Sequence, residues 1–474
     1  MSKSPQQEAA VQSKDGAKST QSRIEEVLGK QRANRFQVQN TSAKERIAKL
    51  KKLESYILEH RKEIQEAVYK DFGKPAPEVD LSEIYATLME IRHARKNLKD
   101  WMFPEHVAAP LSIFTTRSHV RYQPKGVVLI IAPWNFPFVL TLAPLISAIA
   151  AGNCVVLKPS ELTPNTSQML QKMVDDLFNE DEVALFQGDK EVAQALLAQR
   201  FDHIFFTGSP RVGCIVMKAA AEHLSSVTLE LGGKSPAIVD ETASLEDTAD
   251  KIIWGKFVNA GQTCIAPDYL LVHHEVKDDL LEHLSVKLSQ RYNEEVNNAK
   301  QSDNYTGIVN NQHYERLKTM LNETLEQGGE IFAGGSSDEE SRFIAPTILH
   351  KVTEEMPVMQ EEIFGPLLPV LTYENRDQAV AFINRRPNPL ALYVFSKNHD
   401  VTEFFLENTT AGGSCINETL LQFMNNRLPF GGAGYSGIGK SHGEYGFKAF
   451  SNERPVLKSP SKFSPTKLFY PPYT

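Results

Sequence analysis

The chain has 474 residues, of which 41% are hydrophobic and 23% charged, and its formal net charge at pH 7 is −8. This length allows two or three domains with separate cores, and the composition is that of an ordinary globular protein. The negative charge excludes the basic surface of a nucleic-acid-binding protein, and no apolar run reaches the roughly 18–20 residues of a transmembrane helix. We therefore expect neither a nucleic acid nor a membrane partner.

The cysteines are widely separated and form no C-x-x-C pair, which argues against a zinc site and against a disulfide scaffold. We predict that the chain holds no metal and that it folds in a reducing cytoplasm. Residues 1–21 are rich in Ser, Lys, Gln and Ala and lack an apolar core segment, so they are predicted to be a disordered lead-in and not a signal peptide. The four cysteines are Cys154, Cys214, Cys264 and Cys415.

The first part of the chain is predicted to be helical. Ser42 and Glu45 form a capping box, and apolar residues recur at helical spacing behind it as far as Val68, which predicts one long amphipathic helix. A second helical stretch is predicted over residues 81–101. Residues 103–118 contain prolines and β-forming side chains, so we expect an extended excursion there and no core.

From Tyr122 the pattern changes to strands that alternate with helices. The run Val127–Ile131 is apolar throughout, as in a strand that is covered on both faces of a parallel sheet. Further strands are predicted over 154–157 and 202–206. This alternation predicts right-handed βαβ units and a Rossmann-like parallel sheet.

The alternation resumes after Leu231-Gly232-Gly233. Strands are predicted at 236–239, 270–274, 367–372 and 390–395 with helices between them, which indicates a second α/β domain. The segment 412–474 starts with two glycines and contains a glycine-rich loop over 431–439.

The stretch V-N-A-G-Q-T-C-I-A-P over residues 258–267 is the strongest candidate for chemistry. Cys264 follows an apolar helical run and is flanked by small and polar residues, while Gly261 allows the backbone to approach a bound group closely. A thiolate is a strong nucleophile toward a carbonyl carbon. The alternative is a buried, inert cysteine, because free cysteines are often buried.

Two further segments indicate nucleotide binding. Lys158 and Glu161 follow a predicted strand, where a carboxylate and an amine can hold the hydroxyls of a ribose, although two charges on a surface loop would look the same. Gly208 and Gly213 bracket a strand–loop–helix turn that can place backbone N–H groups against a pyrophosphate. This turn lacks the G-x-G-x-x-G pattern and is weak alone.

Asn135 and Glu230 are candidates for catalysis. Asn135 lies in a stiff turn between prolines, where its amide suits an oxyanion hole or a simple turn contact. Glu230 is a carboxylate among apolar residues at a strand end, so burial would raise its pKa toward that of a general base. A paired structural glutamate is the alternative.

Taken together, these segments resemble the aldehyde dehydrogenase superfamily from about Arg32 to Thr474. The stretches from Gly261 to Tyr269 and from Leu428 to Gly432 are similar to the class 3 branch, which includes fatty and coniferyl aldehyde dehydrogenases. The motifs that carry the resemblance, in the family's order, are Pro133-Trp134-Asn135-Phe136-Pro137, Lys158-Pro159-Ser160-Glu161, Phe206-Thr207-Gly208-Ser209, Leu229-Glu230-Leu231-Gly232-Gly233, Gly261-Gln262-Thr263-Cys264 and Glu361-Glu362-Ile363-Phe364-Gly365-Pro366.

The resemblance implies roles for individual residues. Cys264 would be the nucleophile, Glu230 the general base, and Asn135 together with the Cys264 backbone N–H the oxyanion hole. The cofactor would be NAD, because the Glu161 carboxylate disfavours a 2′-phosphate, although NADP stays possible. The residues implied in cofactor binding are Trp134, Lys158, Glu161, Gly208, Ser209, Gly213, Leu231, Glu362 and Phe364.

The resemblance also implies a fold and an activity. The fold is α/β, with a Rossmann-like parallel sheet in a cofactor domain (22–230), a catalytic α/β domain (231–411), and a small β arm for homodimer formation built from residues near 103–121 and from 412–474. The activity is oxidation of a medium- or long-chain aliphatic or an aromatic aldehyde, such as coniferyl aldehyde, to the carboxylic acid through a cysteine thioester. Two alternatives stay open, a dehydrogenase that passes the acyl group to coenzyme A and a non-catalytic binding protein on the same fold.

The chain departs from the family pattern near the expected substrate mouth. Gln422 stands where related sequences often have a histidine, and Phe423, Met424 and Tyr435 are uncommon nearby. Substrate preference therefore does not follow from the resemblance.

Overall fold

The computed structural model of the chain describes the backbone of residues 5–297, 305–460 and 470–472, and the side chains of 20–292, 305–460 and 470–472. The helices are α1 Pro5–Gln39, α2 Ala43–Glu59, α3 Arg61–Phe72, α4 Ala76–Val79, α5 Ala86–Trp101, α6 Val139–Ala151, α7 Pro164–Leu177, α8 Lys190–Leu197, α9 Pro210–His223, α10 Leu245–Phe257, α11 Lys277–Asn297, α12 Asn311–Glu326, α13 Pro357–Gln360, α14 Arg376–Asn384, α15 His399–Asn408, α16 Leu421–Met424 and α17 Gly443–Ala449.

The strands have the following bounds. They are β1 Glu105–Val107, β2 Arg117–Pro124, β3 Val127–Ile131, β4 Cys154–Lys158, β5 Val183–Leu185, β6 His203–Thr207, β7 Ser226–Glu230, β8 Pro236–Val239, β9 Tyr269–His273, β10 Glu330–Ala333, β11 Ser337–Asp338, β12 Phe343–Ile344, β13 Thr347–His350, β14 Leu367–Tyr373, β15 Ala391–Phe395, β16 Gly413–Ile416, β17 Gly437–Ile438 and β18 Ser451–Lys458.

The N-terminal helices differ from the prediction in two places. The backbone is helical from Pro5, so α1 covers most of the predicted disordered lead-in, where Ala, Gln and Lys are strong helix formers. The predicted capping box of Ser42 and Glu45 is present, but the long helix behind it is divided into α2 and α3. The division lies at His60, which leaves the helical conformation (φ −104°, ψ 18°) and stacks its ring on Tyr56.

The first sheet confirms the predicted Rossmann-like unit. Its strand order is β17-β7-β6-β3-β4-β5, and the five strands from β7 to β5 are parallel, whereas β17 is antiparallel to β7. β3, β4 and β6 are buried along their whole length, as the apolar runs predict. Helices cover both faces, and Ile24 and Leu28 of α1 join the core on one side.

The second sheet confirms the second α/β unit. Its order is β10-β13-β14-β9-β8-β15-β16, with only the edge strand β10 antiparallel in this described part of the chain. Two apolar clusters pack on its faces, one around Leu317 and Leu371 and the other around Ile253 and Leu270.

A small antiparallel sheet, β1-β2-β18, forms the arm that the sequence places near residues 103–121. The segment 412–474 is more than a loop and an arm. It supplies β16 to the second sheet, β17 to the first sheet and β18 to the arm. In the described ranges, no helix is both long and apolar enough to cross a bilayer.

Candidate active site

The predicted site residues collect where the parallel strands of the first sheet end. Lys158 ends β4, Thr207 ends β6 and Glu230 ends β7, and the register pairs Thr207 with Glu230. Open α/β sheets bind ligands at this carboxyl edge. The Gly208 N–H also donates to the Glu230 carbonyl at 3.0 Å, which joins the predicted pyrophosphate loop to the strand of the predicted base.

The backbone before Cys264 makes a left-handed turn. Asn259 (φ 55°), Ala260 (φ 51°) and Gly261 (φ 71°) all have left-handed conformations directly after α10. Such a conformation costs a residue other than glycine about 1–2 kcal/mol. At Gly261 a Cβ would lie 2.3 Å from the Gly365 carbonyl oxygen, so only glycine fits. Strain of this kind is typical of functional sites.

Buried amides hold this turn in place. The Asn259 side chain donates to the carbonyls of Asn135 (2.9 Å) and Gln262 (3.1 Å). The Gln262 side chain donates to the carbonyls of Asn259 and Gly307, both at 3.0 Å, and accepts from the Val309 N–H. These bonds offset the conformational cost of the turn because all but the partly buried bond to Gly307 are shielded from water.

Asn135 is brought to the same turn. Its side-chain amide is buried and donates to the Gln262 carbonyl at 3.0 Å. Its own carbonyl accepts from the Lys74 ammonium at 3.1 Å, and Lys74 is paired with Glu83 at 2.8 Å, both fully buried. Glu83 in turn accepts from the backbone N–H groups of Phe138 and Val139 at the start of α6. A buried ion pair therefore fixes the Pro133–Pro137 loop.

The Cys264 side chain is partly buried at the bottom of this arrangement. Burial raises the pKa of its thiol, and the nearby carboxylates of Glu362 and Glu230 raise it further. The backbone N–H groups of Cys264 and Ile265 oppose this shift by donating to the sulfur. The resting group is consequently a thiol, which needs a proton acceptor before it can attack.

Glu230 has the environment of a proton acceptor near neutral pH. It is buried, and burial raises the pKa of this carboxyl to about 7, although a hydrogen bond from Ser441 and the charge of Lys440 lower it. The Ser441 hydroxyl donates to a Glu230 carboxylate oxygen. Lys440 bonds the carbonyls of Gly412, Gly431 and Gly432, so the glycine-rich loop carries these groups to the base.

Glu362 reaches the same cleft from the second domain. A Cβ at Gly232 would lie 2.1 Å from its carboxylate, and the Gly233 N–H donates to it. Burial raises the pKa of Glu362 to about 8, and the charge of Asp268 raises it further. Lys234 bonds Asp268 at 2.5 Å and the carbonyls of residues 358 and 361, so this buried pair holds the Glu362 loop.

The predicted adenosine and pyrophosphate residues line the first sheet. Lys158 is buried and bonds Glu161 at 2.7 Å, while 43% of the Glu161 side chain is exposed. Ser209 caps α9 by accepting from the Val212 N–H. At Gly213 a Cβ would lie 2.7 Å from Leu231, so this glycine permits close packing of α9 on the strand.

Trp134 and Phe364 lie together at the mouth. Their rings pack edge to face with centroids 5.4 Å apart, and Trp134 also contacts His313. Phe364 has a left-handed conformation (φ 47°), which is unusual for an aromatic residue. The contact joins the Pro133–Pro137 loop to the loop that carries Glu362.

An apolar surface lies on the other side of the turn. Phe136, next to Asn135, and Phe423 of α16 are both partly buried against one small cluster. We call this the apolar cluster. Its fully buried members are Ala86, Val139, Leu140 and Ala143.

The residues present fit a dinucleotide. Over the parts of the chain that the structure describes, no hydrogen-bond partner reaches the fully buried Lys256 ammonium, whose pKa burial lowers to about 8. The charges of Asp268 and Glu362 raise this pKa, whereas the charge of Lys234 lowers it further. The exposed N-terminus of α9 and the Glu161 carboxylate match a pyrophosphate and a ribose. No group of three described His, Cys, Asp or Glu residues could hold a metal ion.

Sequence reasoning missed the residues that support the site from a distance. Lys74, Glu83, Ser441 and the Lys234–Asp268 pair carry no local motif of their own. A signal existed for Glu83, because it lies on the apolar, buried side of the helical pattern before α5.

Comparisons with known proteins agree with this geometry. The aldehyde dehydrogenase family model matches residues 3–456. The chain is 47% identical to the 4,4′-diaponeurosporen-aldehyde dehydrogenase of Staphylococcus aureus, over 90% of this chain and 91% of that protein. It is 44% identical to the rat aldehyde dehydrogenase family 3 member B1, over 91% of each chain.

Solved structures give the same result. The substrate-bound state of Staphylococcus aureus AldH superposes with a TM-score of 0.91 at 45% identity, covering 95% of this chain and 97% of that one. The NAD⁺ complex of an aldehyde dehydrogenase from Bacillus cereus superposes with a TM-score of 0.83 at 28% identity, covering 92% and 89%.

These matches extend over nearly the whole chain and both sheets. They support oxidation of an aldehyde with a nicotinamide cofactor. The chain therefore belongs to the class 3 branch of the aldehyde dehydrogenase family and is an enzyme.

Proposed function

We propose that the chain oxidises an apolar aldehyde to the carboxylic acid through covalent catalysis at Cys264. This proposal rests on the proximity of three side chains. Asn135 bonds the strained turn that precedes Cys264, and Glu230, at the end of β7, is close enough to raise the pKa of the Cys264 thiol. The Cys264 thiol first gives its proton to Glu230, which passes it to solvent. The sulfur then adds to the carbonyl carbon as a thiolate, and the carbonyl oxygen takes up the negative charge. The Asn135 amide and the Cys264 backbone N–H are the donors that stabilise this oxyanion.

The next steps need a hydride acceptor and a water molecule. A bound nicotinamide would supply the hydride acceptor, and loss of the hydride from the attacked carbon would leave the acyl group on Cys264 as a thioester. Glu230 then removes a proton from water, which attacks the thioester and releases the acid and the thiol. A pKa of about 7 suits this base because nearly half of it is ionised at neutral pH.

Specific residues would hold the cofactor. Lys158 and Glu161 suit the adenosine ribose, and the turn with Gly208, Ser209 and Gly213 suits the pyrophosphate. On the nicotinamide side the holding residues are Trp134, Leu231, Glu362 and Phe364. We propose NAD as the preferred cofactor because the Glu161 carboxylate repels a 2′-phosphate.

The apolar cluster favours a medium- or long-chain aliphatic or an aromatic aldehyde. Phe136 and Phe423 pack against the small side chains of Ala86 and Ala143 in this cluster. The Staphylococcus aureus relative is named for 4,4′-diaponeurosporen-aldehyde.

Hydrolysis is favoured over transfer to coenzyme A by the position of Glu230. A transferase needs no buried base of pKa near 7 beside the thioester, and ionised Glu230 is costly to bury. A non-catalytic role is disfavoured because strain at Asn259 and Ala260 is retained around Cys264.

We also propose that the enzyme forms a homodimer through the arm. Apolar side chains are unusually exposed on and near β1, β2 and β18, with Leu111 90% exposed. The exposed apolar side chains on and near the arm are Phe103, Val107, Leu111, Phe114 and Leu457.

We also propose a cytoplasmic location. All four cysteines lie in the described ranges and none is bonded to another, which agrees with such a location.

The test is reduced-cofactor formation by purified enzyme with aldehydes from short aliphatic through decanal to coniferyl aldehyde, with NAD and with NADP. We expect turnover that increases with apolar length and needs no coenzyme A. Cys264→Ala should abolish turnover, whereas the exposed Cys214→Ala should leave it unchanged. Normal turnover by the Cys264 variant would overturn the assignment.

A further inference from the structure

The short helix α16 carries three of the four residues that depart from the family pattern. It follows β16 and begins after Leu420, which has a left-handed conformation (φ 62°). β16 lies beside β15 in the second sheet, and the register pairs Cys415 with Tyr393. The helix therefore follows a partly exposed edge strand that is paired with the fully buried strand β15.

Gln422 of α16 is the middle of a directed chain of hydrogen bonds. The Cys415 thiol donates to the Gln422 amide oxygen at 2.8 Å, and the Gln422 amide nitrogen donates to the Tyr393 hydroxyl at 3.1 Å. Tyr393 donates in turn to the Ile265 carbonyl at 2.5 Å. Burial raises the pKa of Tyr393, so its hydroxyl stays a neutral donor. A hydroxyl that accepts one bond is a stronger donor in the next.

The chain ends next to the nucleophile. Ile265 directly follows Cys264, so the carbonyl that Tyr393 holds belongs to the residue next to the nucleophile. This bond restrains the backbone on the carboxyl side of Cys264. The restraint limits the orientations of the Ile265 N–H, a neighbouring backbone donor that can stabilise a thiolate.

The opposite side of α16 faces the substrate region. Phe423 packs edge to face on Phe430 at 5.1 Å and on His442 at 4.7 Å, and it contacts the apolar cluster. Two adjacent residues of α16 therefore have different contacts. Gln422 belongs to the hydrogen-bond chain that leads to Ile265, and Phe423 packs against the apolar cluster.

We propose that Gln422 is a positioning residue for the nucleophile. It acts through Tyr393 to hold the Ile265 carbonyl, and so restrains the backbone that follows Cys264. The inference rests on the proposed role of Cys264, but it can be tested without aldehyde or cofactor.

The test measures the rate at which iodoacetamide alkylates Cys264 in the whole enzyme, followed by mass spectrometry of its peptide between pH 6 and 10. Gln422→Met keeps the shape and removes both bonds, so we expect alkylation about five-fold slower at pH 7.5 and a midpoint at higher pH. Gln378→Met, at a surface glutamine that also accepts a backbone bond, should change neither quantity.

A double variant tests whether Gln422 acts on Ile265 only through Tyr393. Tyr393→Phe should slow alkylation at least as much as Gln422→Met, and Gln422→Met should add nothing in the Tyr393→Phe background. If Tyr393→Phe does not fold, Gln422→His, which keeps an N–H donor, should recover part of the rate lost in Gln422→Met.

Unchanged alkylation in folded Gln422→Met, additive losses in the double variant, or no recovery by Gln422→His would overturn the proposal. A slowed alkylation in an enzyme that oxidises no aldehyde would support it and refute the proposed function instead. The two failures are thereby distinguishable.

Discussion

The two sides of the cleft are built in different ways. On the cofactor side, Lys158, Glu161 and Ser209 sit at the ends of regular strands or the start of a helix and are held by neighbours in sequence. On the side of the proposed nucleophile, Cys264 follows a left-handed turn held by buried side-chain amides, one of which comes from the distant Asn135. The comparison teaches that contacts between sequence neighbours are enough to place the proposed cofactor-binding residues. The position of the proposed nucleophile depends also on contacts with distant segments.

The largest expected effect comes from breaking that support. Lys74→Met leaves Glu83 buried without its partner, so we expect the free energy of unfolding to fall by about 3–5 kcal/mol and aldehyde oxidation to be lost. Urea unfolding and a turnover assay measure the two effects.

A matched control exists on the surface. Lys172 pairs with Glu63 in an exposed position, so Lys172→Met should change the unfolding free energy by less than about 1 kcal/mol. Adding Glu83→Gln to Lys74→Met should restore stability in part, because the amide oxygen still accepts the Phe138 and Val139 N–H groups. Equal effects of Lys74→Met and Lys172→Met would refute the comparison.

Glu230→Gln separates stability from activity. The folded state raises the pKa of this group from 4.5 to about 7, so its contribution to stability is full below pH 4.5 and is lost as the pH rises through 7. The variant should therefore match the parent below pH 4.5 and exceed it by about 3 kcal/mol above pH 7.

The same variant tests the proposed base. In the parent, thioester hydrolysis should rise with pH through about 7, and Glu230→Gln should remove this limb because its amide cannot accept a proton. Single-turnover kinetics measure the limb, and thermal unfolding at several pH values measures the stability. A parent profile that is flat between pH 6 and 8 would contradict the role.

The smallest effect is expected on the cofactor side. Glu161→Gln removes a half-exposed charge, so kcat/KM with NADP should rise relative to NAD by up to about ten-fold, while the unfolding free energy stays within about 1 kcal/mol. Glu191→Gln, at the start of α8, is the control and should leave the ratio unchanged. A large loss of stability in Glu161→Gln would show that this side, too, depends on buried support.

The difference between local and long-range contacts also explains which features could be predicted from the sequence. β3 and β8 have the predicted bounds, since apolar runs and strand ends are local properties. Glu230 and Lys158 were placed at their strand ends for the same reason. The left-handed run at Asn259 and Ala260 was not predicted, because its stability depends in part on amide contacts with the distant carbonyls of Asn135 and Gly307.

Other differences have the same physical origin. The division of α2 from α3 at His60 leaves the apolar pattern intact, so the pattern could not reveal it. Ser441 reaches Glu230 only because β17 returns to the edge of the first sheet, which is a property of topology. Roles for the site residues remain predictions, and the experiments above test them.

Because residues 413–458 supply a strand to each of the three larger sheets, none of these three is complete until this part of the chain has left the ribosome. β18 must find β2 across most of the polypeptide, and closing so long a loop makes folding slow. Until then the edges of β2 and β7 present unpaired backbone groups, which expose the nascent enzyme to aggregation and to chaperones.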